Sequence, residues 1–142
     1  MRERKRWVVD ASIAIAWVHP GQATPGTDDL LDSLENGVSA YAPALWSVEV
    51  ANALLSLERR NKLTRANRTT ALELLRDLPI EIDEEMPRLA FNELSTIATE
   101  QKLSVYDAAY LELASRLKIP LACKDGPLRA AAMRCGIRVL PD

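Results

Sequence analysis

The chain has 142 residues, of which 48% are hydrophobic and 27% charged, and a formal net charge of −2. Such values suit a soluble domain with an ordinary core, and they argue against a wholesale basic coat for nucleic acid while leaving room for a local patch. One histidine and two cysteines without Cys-x-x-Cys spacing exclude a structural zinc site, and no apolar run approaches the ~18 residues of a membrane span.

Taken in order, residues 1–6 (Met-Arg-Glu-Arg-Lys-Arg) read as a basic N-terminal tail. The Trp7-Val8-Val9 that follows is too short for a signal-peptide core, so a cytoplasmic protein without membrane contact is expected. Trp7 to Asp10 is a short strand ending in an acid, and Ala11 to Trp17 a compact helix stopped by His19-Pro20-Gly21. Gln22 to Gly26 reads as loop, Asp28 to Leu34 as a short helix closed by Asn36-Gly37, and Ser39 to Ala42 as a second strand. Leu45 to Arg60 is the most apolar helix. Trp46, Val50, Ala53, Leu54 and Leu57 form one stripe, widened by Val48, Ala51 and Leu55, with a narrow polar line at Glu49, Asn52 and Ser56. So wide a surface either packs in the core or leaves Trp46 exposed as a contact face.

Thr64 caps a helix from Arg65 to Leu78, Ile80 to Ile82 reads as a brief strand, and Pro87 opens a helix through Gln101. Ser104 caps the next helix, to Leu117. Ile119 to Cys123 is then a buried strand stopped by Asp125-Gly126-Pro127. Pro127 to Arg134 is a last helix, and Ile137 to Leu140 a last strand. Cys123 and Cys135 sit in apolar segments and read as reduced core residues. With no repeat, low-complexity tract or linker, one domain over residues 1–142 is expected. The alternation of strands and helices points to a three-layer α/β/α fold around a parallel sheet of four or five strands.

No phosphate-cradling glycine loop, dinucleotide fingerprint or nucleophile elbow is present, so carboxylates have to carry any chemistry. From Asp107 to Leu117 a helix advances about 15 Å, and from Pro120 to Asp125 a strand returns about 16 Å. Asp107 and Asp125 therefore finish at one end, the carboxyl edge of the sheet, where open α/β sheets keep their sites. Asp10 closes a strand on the same edge, and Glu49 joins if its helix packs across it. Each acid has a plainer reading: Asp10 as a helix N-cap, Glu49 as part of a solvated stripe, Asp107 as a capping-box acid, Asp125 as a turn residue. Together they are a different matter. Carboxylates about 5 Å apart repel by roughly 3 kcal/mol per pair at an effective dielectric near 20. An all-oxygen cluster of this kind calls for a compensating cation such as Mg2+ or Mn2+. His19, before a loop proline, reads as structural or surface.

Val8-Val9-Asp10-Ala11-Ser12, Glu49-Val50-Ala51-Asn52, Tyr106-Asp107-Ala108-Ala109-Tyr110-Leu111 and Asp125 before a short Leu-containing helix resemble the PIN-domain nucleases, and among these the VapC toxins of toxin–antitoxin pairs. The resemblance runs in register from Trp7 to Leu140. It implies a Mg2+- or Mn2+-dependent endoribonuclease whose metal is held by the acids matching Asp10, Glu49, Asp107 and Asp125. Ser12 and Asn52 match its usual polar companions. It also implies a homodimer and a cognate antitoxin covering the acidic pocket. Cys123 departs from the family, which usually carries Thr or Ser two residues before the last acid; that puts a supporting hydrogen bond in doubt without removing a ligand. Arg59, Arg60, Lys62, Arg65 and Arg68 around a helix–helix turn then offer an RNA backbone contact, or simply a solvated charged loop. Two other readings stay open: a non-catalytic PIN-like module binding RNA or protein, and an aspartate-nucleophile phosphatase, which would want a second Asp where Ser12 stands.

Overall fold

Five short, mostly apolar runs make one parallel sheet: β1 (Arg6–Val9), β2 (Ser39–Pro43), β3 (Ile80–Asp83), β4 (Leu121–Ala122) and β5 (Val139–Leu140). They stand in the order β3-β2-β1-β4-β5 in the computed structural model, which describes residues 5–142. The chain winds outward from β1 through β2 to β3, then crosses back to lay β4 and β5 on the other side of β1. All four pairings are parallel. Helices cover both faces, as in a three-layer α/β/α fold. The winding reverses between β1 and β4, and in open α/β sheets the crevice beyond the carboxyl ends at such a reversal is where sites form. The register pairs Val9 with Ala122, so Asp10 and Cys123 leave the sheet side by side.

Local signals set most helices. Asp10 caps α1 (Ala11–Val18) and Thr64 caps α4 (Arg65–Arg76). Ser104 caps α7 (Val105–Leu117) and Asp125 caps α8 (Gly126–Arg134), each through its side-chain oxygen. The apolar helix α3 spans Trp46–Arg59. Ile80–Ile82 does join the sheet, as β3. The core centres on Val8, Val9, Ile13, Leu54, Tyr110, Leu111, Leu113 and Leu121. Each such aliphatic side chain contributes about 1.5–3 kcal/mol by leaving water.

Several expectations need correction. The loop placed at Gln22–Gly26 is a 3-10 turn over Pro20–Gln22 followed by α2, which runs from Pro25 to Glu35 rather than from Asp28 to Leu34. Thr24 and Thr27 exchange hydrogen bonds in a capping box, and Pro25 fills the first helical position, where no N–H is needed. The single helix expected from Pro87 to Gln101 is broken into α5 (Met86–Leu89), a π turn (Ala90–Leu94) and α6 (Ser95–Gln101). Five residues of α-helix rotate by about 500°, which would swing Leu94 away from the face of Leu89. The wider turn brings both into one buried cluster with Ala109.

Trp46 is not exposed but 5% accessible, and Cys135 is exposed rather than in the core. Of the basic tail, residues 1–4 lie outside the described residues. Arg6 is strand, its guanidinium 5.8 Å above the ring of Tyr41. No helix among the described residues is long and apolar enough to cross a membrane.

Candidate active site

Asp10 is the most buried of the expected acids, at 5% exposure. One carboxylate oxygen, Oδ1, accepts from the Ile13 N–H at 3.1 Å and from the Ser12 hydroxyl at 2.7 Å. Burial dominates its protonation and pushes its pKa up to about 7; the two donors oppose this, and the charges of Asp107 and Glu49 add to it. Ser12 has a second task. Its hydroxyl oxygen accepts from the Lys124 N–H at 3.0 Å, tying the β1–α1 corner to the β4–α8 corner that carries Asp125. The Lys124 ammonium donates to the Gln22 carbonyl, and Arg129 donates to the carbonyls of Cys123, Leu140 and Pro141. These contacts hold the carboxyl ends of β4 and β5 in place.

Of the plainer roles foreseen for these acids, the N-cap at Asp10 is filled; Glu49 is half-buried against Tyr110 rather than in a solvated stripe, and the Asp107 side chain closes no capping box. Asp125 caps α8 by accepting from the Leu128 N–H at 2.9 Å. Asp107 lies in the first turn of α7, its N–H donating to Ser104 at 3.0 Å. It is half-buried, and its carboxyl is held above the usual range first by burial and then by the charge of Asp125, with Ser104 opposing. Glu49, in the first turn of α3, is likewise raised by burial and by Asp107, against the hydrogen bond from Tyr110. Asp107 is thus the hub: its charge reaches Asp10 and Glu49, and that of Asp125 reaches it.

The leading influences on Asp10, Glu49 and Asp107 are burial, neighbouring carboxylates (Asp125 included) and neutral donors, with no Lys or Arg among them. Uncompensated carboxylate oxygens are a donor set suited to a hard divalent cation. What converges is charge, not yet contact. Among the described residues no three His, Cys, Asp or Glu side chains are gathered closely enough to form an ion's ligand set. Asp10 and Asp125 each commit one oxygen to a helix amide, and like charges resist further approach.

The other expected residues divide. Asn52 is exposed on α3, and His19 is the half-buried C-cap of α1, outside this group. Cys123 is buried beside the acids; burial first, and then the charge of Asp10, push its thiol up, so it stays protonated. Arg68 is committed to Glu58 at 2.9 Å, which leaves Arg59, Arg60, Lys62 and Arg65 exposed around the α3–α4 turn. Sequence reasoning took Tyr110 for a core residue only. Its hydroxyl donates to Glu49 Oε1 at 2.6 Å, and the available signal was its place one turn after Asp107 on the same helical face.

A family model described as PIN domain matches residues 7–132. Among curated proteins none matches the chain. Of solved structures, PAE2754 from Pyrobaculum aerophilum superposes with a TM-score of 0.70 at 22% identity, over 97% of this chain and 92% of that one. VapBC2 from Rickettsia felis, bound to a DNA fragment from its promoter, gives 0.66 at 11% identity over 94% and 96%. VapC20 from Mycobacterium tuberculosis, described as a sarcin-ricin loop cleaving toxin, gives 0.63 at 18% identity over 88% and 94%. At these identities the likeness is one of fold. The match to the family model, which takes in β1 with Asp10, α3 with Glu49, α7 with Asp107 and the start of α8 after Asp125, shows more: the chain belongs to the PIN-domain family.

Proposed function

We propose that this chain is a metal-dependent endoribonuclease that hydrolyses RNA phosphodiester bonds, acting in the cytoplasm as the VapC-type toxin of a type II toxin–antitoxin pair. The observation that carries the reading is Asp107, half-buried at the reversal of the sheet and coupled by charge to Asp10, Glu49 and Asp125. Asp10, Asp107 and Asp125 would hold Mg2+ or Mn2+, and Glu49 would either ligate or position the attacking water. When bound, the ion supplies positive charge against the phosphoryl oxygens and makes water more acidic. In the positioning role, Glu49 would orient the water as its oxygen bonds to phosphorus; the bond from phosphorus to the ribose oxygen breaks, and the proton that the water loses balances the one that the departing oxygen gains. Ser12 keeps Asp10 oriented and joins the two corners. Asn52, a common companion of the glutamate in the family, would support it from the next turn of α3. Arg59, Arg60, Lys62 and Arg65 would hold the RNA backbone. Likeness to VapC20 and to VapBC2 supports a toxin with a cognate antitoxin, and exposed apolar residues such as Val48 leave surface for a homodimer.

The test is RNA cleavage by the purified protein with Mn2+, with EDTA, and with Asp107→Asn. Cleavage that needs Mn2+ and vanishes in the variant is the expected result. Binding of RNA without cleavage in Mn2+ would overturn the enzymatic reading in favour of a non-catalytic PIN-like module. The buried thiol at Cys123 and the absence of a ready ligand trio among the described residues favour that second reading.

A further inference from the structure

We infer that Tyr110 is a positioning residue that acts through Glu49. This rests on the nuclease reading above and deepens it by naming what sets the geometry of the one acid the metal ligands leave undecided. Tyr110 is 1% exposed, and its ring packs in the main core. Its hydroxyl, carried to the end of a rigid aromatic arm, donates to Glu49 Oε1 at 2.6 Å. A glutamate side chain has three rotatable bonds and ordinarily samples many rotamers at a half-exposed site. Fixing Oε1 to a group locked in the core leaves Oε2 as the oxygen available for an ion or a water, in one place. The donor is neutral and short-reaching, so it orients the carboxylate without cancelling its charge as Lys or Arg would.

Placement along the chain makes the device economical. Tyr110 follows Asp107 by one turn of α7, so one helix contributes both an acid and the group that aims another acid, 61 residues away in sequence on α3. Partners of this kind, standing behind a ligand, typically alter metal affinity or activity by about 10–100-fold when removed.

The test is a kinetic cycle of Tyr110→Phe, Glu49→Ala and the double variant, with Mn2+ affinity measured by calorimetry alongside kcat and KM for RNA. Phe keeps the ring in the core, and unfolding curves verify that it folds. Tyr110→Phe should lower kcat and Mn2+ affinity by about tenfold or more with KM for RNA nearly unchanged, and should add no further loss in the Glu49→Ala background. Losses that simply multiply in the double variant, or unchanged kcat and Mn2+ affinity in Tyr110→Phe, overturn the inference while leaving the nuclease reading intact. A wild-type protein that neither cuts RNA nor binds Mn2+ overturns both.

Discussion

Helix α7 carries acid groups towards both of its ends, and the fold treats them oppositely. Near its C-terminus, Arg116 reaches Asp83 through two hydrogen bonds of 3.0 and 2.7 Å and Glu112 through two of 2.6 and 3.1 Å. The guanidinium holds Asp83 below the ordinary carboxylate range, chiefly by its hydrogen bonds. Near the N-terminus, Asp107 is coupled by charge to Asp10, Glu49 and Asp125, and the carboxyls of Asp10, Glu49 and Asp107 are all held above the ordinary range. A protein that needs an acid only for structure supplies it with a cation, as β3 and α7 do here. Acids gathered without one cost folding free energy, and perturbed groups in such an arrangement are candidates for a functional site.

The sharpest way to break this contrast is Asp107→Asn. Removing the hub should lower RNA cleavage by about 1,000-fold or more, as loss of a group that acts in the transition state does. The fold should remain, since Ser104 still caps α7 through the backbone N–H of residue 107. Single-turnover cleavage with a circular dichroism control measures both.

Asp10→Asn should show the cost of the uncompensated end directly, in the metal-free protein. Asp10 keeps its proton up to about pH 7 when folded, against 3.8 as its ordinary value. Between those values the folded state binds more protons than the unfolded one. Raising the pH through that window therefore removes stability, and above it the loss is complete. Asn keeps the N-cap without the charge. The variant should be more stable than the wild type by on the order of 4 kcal/mol near pH 8 in EDTA, with the gap closing as the pH falls towards about 4. Denaturant unfolding at several pH values reads this out, and a destabilised variant at the alkaline end would contradict the picture. Added Mn2+ should narrow the alkaline gap, because it stabilises the wild type by mass action.

Arg116→Ala is the smallest effect and has the opposite pH dependence. The pair is partly exposed, so its loss should cost about 1 kcal/mol at neutral pH. Because the folded carboxyl of Asp83 lies below its ordinary 3.8, its contribution is present above that value and fades as the pH falls through the folded pKa. Wild type and variant should converge once the pH has fallen through that folded pKa, and RNA cleavage should be unchanged.

Much of the candidate site was legible because its acids stand at punctuation marks. Asp10 ends a hydrophobic run, Asp107 follows Ser104 by three residues, and Asp125 sits in Lys-Asp-Gly-Pro; each is a local signal for the start of a helix. Rise per residue alone then sufficed to bring α7 and β4 back to one edge. Where reading failed, the deciding forces were not local. Trp46 and Cys135 are both apolar in character, yet one lies in the core and the other faces solvent, because that depends on which neighbours cover them. The π turn at Ala90–Leu94 arises from the need to keep Leu89 and Leu94 on one buried face.

From its residues alone, then, this protein's order of strands and helices, their caps and the acids at their ends could be inferred, since hydrogen bonds within a few residues of each other govern them. Which acid receives Arg116, which hydroxyl meets Glu49, and where the winding reverses were settled by tertiary packing. Those pairings join residues as far apart as 61 positions. They depend on the order in which strands are laid beside β1, and no stretch of sequence taken singly encodes that order.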